Sequence, residues 1–181
     1  MRRPGFSENN LRHGFLRPSG EFRAALSVLQ DRLREAGVSG RWLSPSGFHM
    51  TLAFVGEWPE DISPFLPAVD PPFSVTLSRI GVFRESKVLW AAPEPSEELG
   101  SLAEKVRSSL AENGIPFDPK EFSPHITLAR KPSFPSGFIP SGIVVPSVSM
   151  RVDKVCLYRS DRGEQGMEYT VIGTGPGESG E

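Results

Sequence analysis

The sequence predicts an α+β fold of two lobes, related by a pseudo-twofold axis, whose mainly antiparallel sheets flank a central groove. Three observations carry that expectation. Two amphipathic helical stretches are capped alike, short strand candidates separated by Pro- and Gly-rich turns surround them, and the pattern H-x-T-L-A occurs at His49 and again at His125.

Taken in order, Leu11–Leu16 reads as the first strand. The first helix follows: Phe22, Leu26, Leu29 and Leu33 recur at helical spacing behind Ser19, whose hydroxyl can accept from the free N–H groups of the first turn. Gly37 supplies its stop. Arg41–Leu43, Phe48–Val55, Phe73–Ile80 and Val88–Ala92 alternate or run apolar as strands do. The second helix starts behind Ser96, carries Leu99, Leu102, Ala103, Val106 and Leu110 on one stripe, and stops at Asn113-Gly114. His125–Arg130, Ser147–Val152, Val155–Arg159 and Tyr169–Gly173 complete the strand candidates.

The order helix, glycine, gap, H-x-T-L-A strand, further strands therefore occurs twice. The gap is twelve positions from Gly37 to His49 and eleven from Gly114 to His125. Outside the motif the halves share little identity, so the duplication is one of architecture. Residues 11–173 are read as a single bilobal domain. Residues 1–10 and 174–181 are small, polar or rich in Pro and Gly, and are expected to be disordered because they bury too little to offset ordering. Lys131–Gly142 is the longest irregular insert and follows the second motif directly, where Phe134 or Phe138 can cover a substrate.

Composition narrows the class. A hydrophobic fraction of 38% and a charged fraction of 23% over 181 residues are those of an ordinary water-soluble domain, and no apolar run reaches the ~20 residues of a membrane helix. The first ten residues lack the apolar stretch of a secretory signal, and the single cysteine, Cys156, forms no internal disulfide. A cytoplasmic monomer is expected, with Cys156 a buried structural thiol. The net charge of −2 argues against coating nucleic acid by bulk electrostatics but leaves room for a local anion site.

Strand parity puts His49 and Thr51 on one face and Met50, Leu52 and Phe54 on the other. The second copy reads alike, with His125 and Thr127 opposite Ile126 and Leu128. Arg130 falls by the same count on the apolar face, and reaches the groove only where the strand ends or twists. If the duplication brings the polar faces together, two imidazoles and two hydroxyls surround one centre. That set suits in-line displacement at a phosphodiester, which needs a base for the attacking water and an acid for the leaving oxygen on opposite sides of phosphorus. A histidine pKa near 6.5 permits either role near neutrality and predicts a bell-shaped pH dependence. The threonine hydroxyls and the Arg130 fork can hold the non-bridging oxygens. The sequence alone leaves open which histidine is acid and which is base.

Rival readings are plain. A zinc site needs a third ligand close by, and no H-x-x-x-H or C-x-x-C spacing occurs, so neither metal nor cofactor is expected. His13 reads as a solvated surface residue. Phe48, Trp42 and Tyr158 stack on a nucleobase or pack in the core. Arg79, Arg84 and Lys87 form a basic group around a turn, either a solvated hairpin tip or a guide for an RNA backbone.

The paired His49-Met50-Thr51-Leu52 and His125-Ile126-Thr127-Leu128 resemble the H-x-T-x motifs of the 2H phosphoesterase superfamily. With Arg41-Trp42, Phe54-Val55-Gly56, the H-I-T-L-A-R form of the second motif and Leu157 to Ser160, the chain is most similar to RNA 2′,3′-cyclic phosphodiesterases, the bacterial and archaeal 2′-5′ RNA ligase group. The resemblance runs from about Leu11 to Ile172. It implies metal-independent opening of RNA 2′,3′-cyclic phosphate ends to 2′-phosphomonoesters, with weak reverse 2′-5′ joining. It also implies that His49 is the proton donor and His125 the acceptor. The partner it implies is RNA or an oligonucleotide with a cyclic phosphate end; small cyclic nucleotides, or RNA binding without turnover, are the alternatives. The first strand departs from the family's R-x-F-x-A pattern, reading R-H-G-F-L-R-P from Arg12 to Pro18.

Overall fold

Eleven regular elements follow one another: β1 (Leu11–Leu16), α1 (Gly20–Glu35), β2 (Ser39–Trp42), β3 (Met50–Gly56), β4 (Phe73–Phe83), β5 (Val88–Pro93), α2 (Glu97–Glu112), β6 (Ile126–Ser133), β7 (Ser149–Val152), β8 (Cys156–Gly163) and β9 (Gly166–Thr174). The computed structural model describes residues 11–164 and 166–176, so the expected arm 1–10 and tail residues 177–181 lie outside the described residues. Strands β3-β1-β8-β9 form a first sheet and β2-β6-β5-β4-β7 a second. Every pairing among them is antiparallel.

Each helix begins as its cap residue dictates. Ser19 Oγ accepts from the Phe22 N–H at 3.3 Å, and Ser96 Oγ from the Leu99 N–H at 3.1 Å. Gly37 (φ +90°) and Gly114 (φ +70°) then take the left-handed turn that closes a helix and that a side chain would strain. The apolar stripes are buried throughout: Phe22, Leu26, Leu29 and Leu33 on α1, and Leu99, Leu102, Ala103, Val106 and Leu110 on α2. Each large side chain so buried contributes roughly 1.5–3 kcal/mol.

The helices cross over. α1 leaves the first sheet but packs beneath the second, where Gln30 Nε2 donates to Leu43 O (2.9 Å) and to Leu128 O of β6 (3.0 Å). α2 leaves the second sheet but packs beneath the first, with Val106 against Gly14 of β1 and Arg107 Nε donating to Leu52 O of β3 at 3.1 Å. One continuous apolar core runs under both sheets.

Register slips inside each motif strand. Phe15 faces Thr51 and Gly14 faces Ala53, so Leu52 is an extra residue on β3; Trp90 faces Thr127 and Leu89 faces Ala129, so Leu128 is extra on β6. Such a bulge sends the side chains that follow it to the opposite face. Leu52 with Ala53, and Leu128 with Ala129, are accordingly all buried. Simple alternation, which assigned Phe54 and Arg130 to the core side, is corrected for this reason.

Other boundaries shift. Thr174 and Gly175, expected to be disordered, are instead held in place: Thr174 pairs with Cys156 and the Gly175 N–H donates to Val155 O at 2.8 Å. The irregular insert also begins later, because β6 continues to Ser133. Phe48 and His49 precede β3, in the turn closed by the Phe48 N–H on Pro45 O.

Candidate active site

Each motif histidine stands one residue before its strand and turns back on its own chain. His49 Nδ1 lies 2.8 Å from Gly47 O, and His125 Nδ1 lies 2.7 Å from Ser123 O. A carbonyl only accepts, so Nδ1 carries the hydrogen in both rings and Nε2 is left as the working nitrogen. The two half-sites are identical in this respect.

The strands bring the halves together. Thr51, Ala53 and Phe54 of β3 line one cleft of about 690 Å³ with His125, Thr127 and Arg130. His49 does not itself line that cleft; it stands two residues before Thr51, which does, and desolvation and then the charges of Arg130 and His125 oppose its protonation. Thr51 and Thr127 keep the side predicted for them, and the Leu128 bulge turns Arg130 to join them.

Burial sets the charge state. Desolvation pushes the His49 imidazole down to about 4, against a bond to Gly47 that favours the charged ring, with Arg130 and His125 adding repulsion. His125 is also lowered, by desolvation first and by Arg130, against its bond to Ser123. With no anion bound, both rings are therefore neutral at pH 7. Either can accept a proton, and a ring that is to donate one needs a negative charge beside it to be loaded.

The match to known families falls on this part of the chain: residues 48–164 fit the model described as the 2′-5′ RNA ligase superfamily. The chain belongs to that superfamily. Among its members, a protein of Thermus thermophilus named RNA 2′,3′-cyclic phosphodiesterase is 32% identical over 84% of this chain and 82% of its own length. One of the same name from Thermotoga maritima is 29% identical over 84% and 87%. A crystal structure of a Thermus thermophilus protein superposes with a TM-score of 0.73 at 30% identity, covering 91% of this chain and 96% of that one. Escherichia coli LigT complexed with 3′-AMP gives 0.73 at 25%, covering 92% and 97%.

In this superfamily member the sequence misplaced one histidine and left three aromatics open. His13 is 8% exposed, not solvated: Nε2 lies 3.1 Å from Ser160 Oγ, Nδ1 is buried and finds no hydrogen-bond partner among the described residues, and the ring is 6.2 Å from that of His49. Burial, and secondarily His49, lower its pKa to about 3. Phe48, at 1% exposure, is a core ring with no free face for a base. Tyr158, at 4%, lies against Phe15 below the groove. Trp42 packs on the core with the Arg34 guanidinium 4.5 Å over its ring, and does not line the cleft. Stacking surfaces at the cleft come instead from Phe54, Phe83 and Phe122. Phe83 meets His125 edge-on at 4.9 Å, and Tyr169 covers His49 at 4.5 Å. Sequence carried no signal for Phe83 or Tyr169, because each reaches the site through sheet pairing alone. Among the described residues, no three His, Cys, Asp or Glu side chains gather as a metal-binding group.

Proposed function

We propose that this protein hydrolyses 2′,3′-cyclic phosphate ends of RNA to 2′-phosphomonoesters by two-histidine acid–base catalysis that needs no metal ion. The observation that carries the reading is a pair of Nδ1-anchored histidines on two strands that meet at one cleft: His125 lines it with Thr51, Thr127 and Arg130, and His49 stands two residues before Thr51. The names of the relatives supply the bond.

Water attacks phosphorus and gives its proton to Nε2 of His125. The bond to O3′ breaks on the far side, and O3′ takes the proton of His49, leaving a free 3′-hydroxyl and a 2′-phosphate. The assignment of donor and acceptor follows the family resemblance. Because desolvation lowers the free His49 ring to about 4, it carries the proton it is to donate only when the phosphate's charge offsets that desolvation. The threonine hydroxyls and Arg130 hold the non-bridging oxygens as charge moves. With an RNA 5′-hydroxyl in place of water, the same ring opening, with O3′ again leaving, joins the two ends by a 2′-5′ bond.

The test is turnover of a 2′,3′-cyclic mononucleotide and of RNA with the same end, both in EDTA, by the wild type and the His49→Ala/His125→Ala variant. The wild type should be active and the double variant inactive. Equal rates for the two proteins would sink the reading.

A further inference from the structure

A second groove, of about 730 Å³, opens beside the active-site cleft and shares Val82 and Arg84 with it. Its other walls bring Lys87 from the β4–β5 turn and Lys131 from β6 to face Phe134 and Phe138 of the insert. We propose that this groove binds the RNA nucleotides immediately preceding the terminal cyclic phosphate, and so makes RNA a better substrate than a mononucleotide. The proposal rests on the function proposed above.

The groove has the two components that single-stranded nucleic acid needs. Arg84, Lys87 and Lys131 are exposed, and no residue lining the groove is acidic, although the chain as a whole is negative. Among the described residues, no ion pair occupies any of the three. Lys87 and Lys131 are tied to each other by the Lys131 N–H on Lys87 O at 2.8 Å. Both have positive φ, +53° and +49°, a conformation uncommon outside glycine that fixes where the two side chains leave the backbone. Facing them, Phe134 and Phe138 lie nearly parallel, 5.1 Å apart at 19°, and offer a flat apolar step. Alternating cations and aromatic faces bind a phosphate backbone and its bases together, each stacked base contributing about 1–3 kcal/mol. A free mononucleotide fills only the catalytic cleft. A chain must leave that cleft, and the shared Arg84 marks the exit lined by positive charge.

Two measurements test this. The first compares kcat/KM for a 2′,3′-cyclic mononucleotide with that for a pentaribonucleotide ending in the same cyclic phosphate, for the wild type, Lys87→Gln/Lys131→Gln and Phe138→Leu. The RNA-to-mononucleotide ratio should exceed ten in the wild type and fall about tenfold in each variant; Lys87→Arg/Lys131→Arg should restore it. The second measures binding of a fluorescent 3′-hydroxyl pentaribonucleotide against salt, where loss of two phosphate contacts should flatten the log–log slope by about 1.4. A wild-type ratio near one, or an unchanged salt slope, overturns the proposal. If neither substrate turns over, the proposed function fails while the salt slope still decides the groove.

Discussion

The two half-sites share a skeleton and differ in what hangs on it. Each histidine is pinned through Nδ1 to the carbonyl two residues back, each motif strand bulges at its leucine, and each bulge carbonyl accepts from a helix side chain. Those side chains, Gln30 and Arg107, hold the same place in two sixteen-residue helices. Around the skeleton the halves diverge. His49 sits part-buried among the rings of Phe15, Tyr158, Tyr169 and His13, whereas His125 meets, among the described residues, the ring of Phe83 alone, and its bond to Ser123 is exposed. The bulge presents an apolar ring, Phe54, on the first side and a cation, Arg130, on the second. The shared skeleton supplies the geometry; on the function proposed above both sides transfer a proton, the first among aromatic rings and the second beside the Arg130 cation.

Breaking the pair should have the largest effect. His49→Ala and His125→Ala are each expected to lower kcat by about 10²–10⁴-fold. The double variant should be little worse than the poorer single one, because the two act as one unit. Additive losses in single-turnover assays would show that the halves work independently. Next, Arg130→Gln should lower kcat/KM by about 10²-fold, while Phe54→Leu, at the matching position, should mainly raise KM, by about tenfold or less. Equal effects on kcat would contradict the division of labour drawn above.

The helix side chains that hold the bulges sharpen the comparison through stability. Gln30→Leu strips a buried hydrogen bond from Leu128 O and a part-buried one from Leu43 O, and should cost about 1–3 kcal/mol in urea unfolding. Arg107→Leu should cost less, since Arg107 is only half-buried and water can replace it. The last effect is read as a slope against pH. His13 titrates near 3 when folded and near 6.5 when unfolded, so the unfolded chain holds the extra proton between those values. The stability of the neutral ring is therefore complete above pH 6.5 and lost as pH falls towards 3, at up to about 1.4 kcal/mol per unit; His13→Leu should flatten that limb in acid-unfolding curves. Within the same range, NMR titration of the free protein should find His49 below His125. The kcat/KM profile should peak on the acid side of 6.5, and kcat at higher pH, because a bound phosphate favours the imidazolium.

Much of this was legible in sequence. Helix caps at Ser19 and Ser96, the glycine stops and the paired motifs are local signals, written where they act. Arg130, Phe54 and His13 were not. A bulge is a property of two paired strands, so nothing near Leu52 or Leu128 reveals that parity changes there. His13 became a buried neighbour of His49 only when β1 paired between β3 and β8. Phe48, Trp42 and Tyr158 stayed open between base stacking and core packing, because an aromatic in a strand reads the same whether it faces substrate or core; burial decides for the core.

The crossed helices also bear on how such a site comes into being. Since α1 covers the sheet that carries His125, and α2 the sheet that carries His49, neither repeat encloses its own core. The first strand waits for the eighth before it is paired on both sides. Contacts so distant in sequence close late in folding. A half-made chain therefore holds one uncovered sheet and one motif histidine without its counterpart, so on the function proposed above activity waits for the last strands.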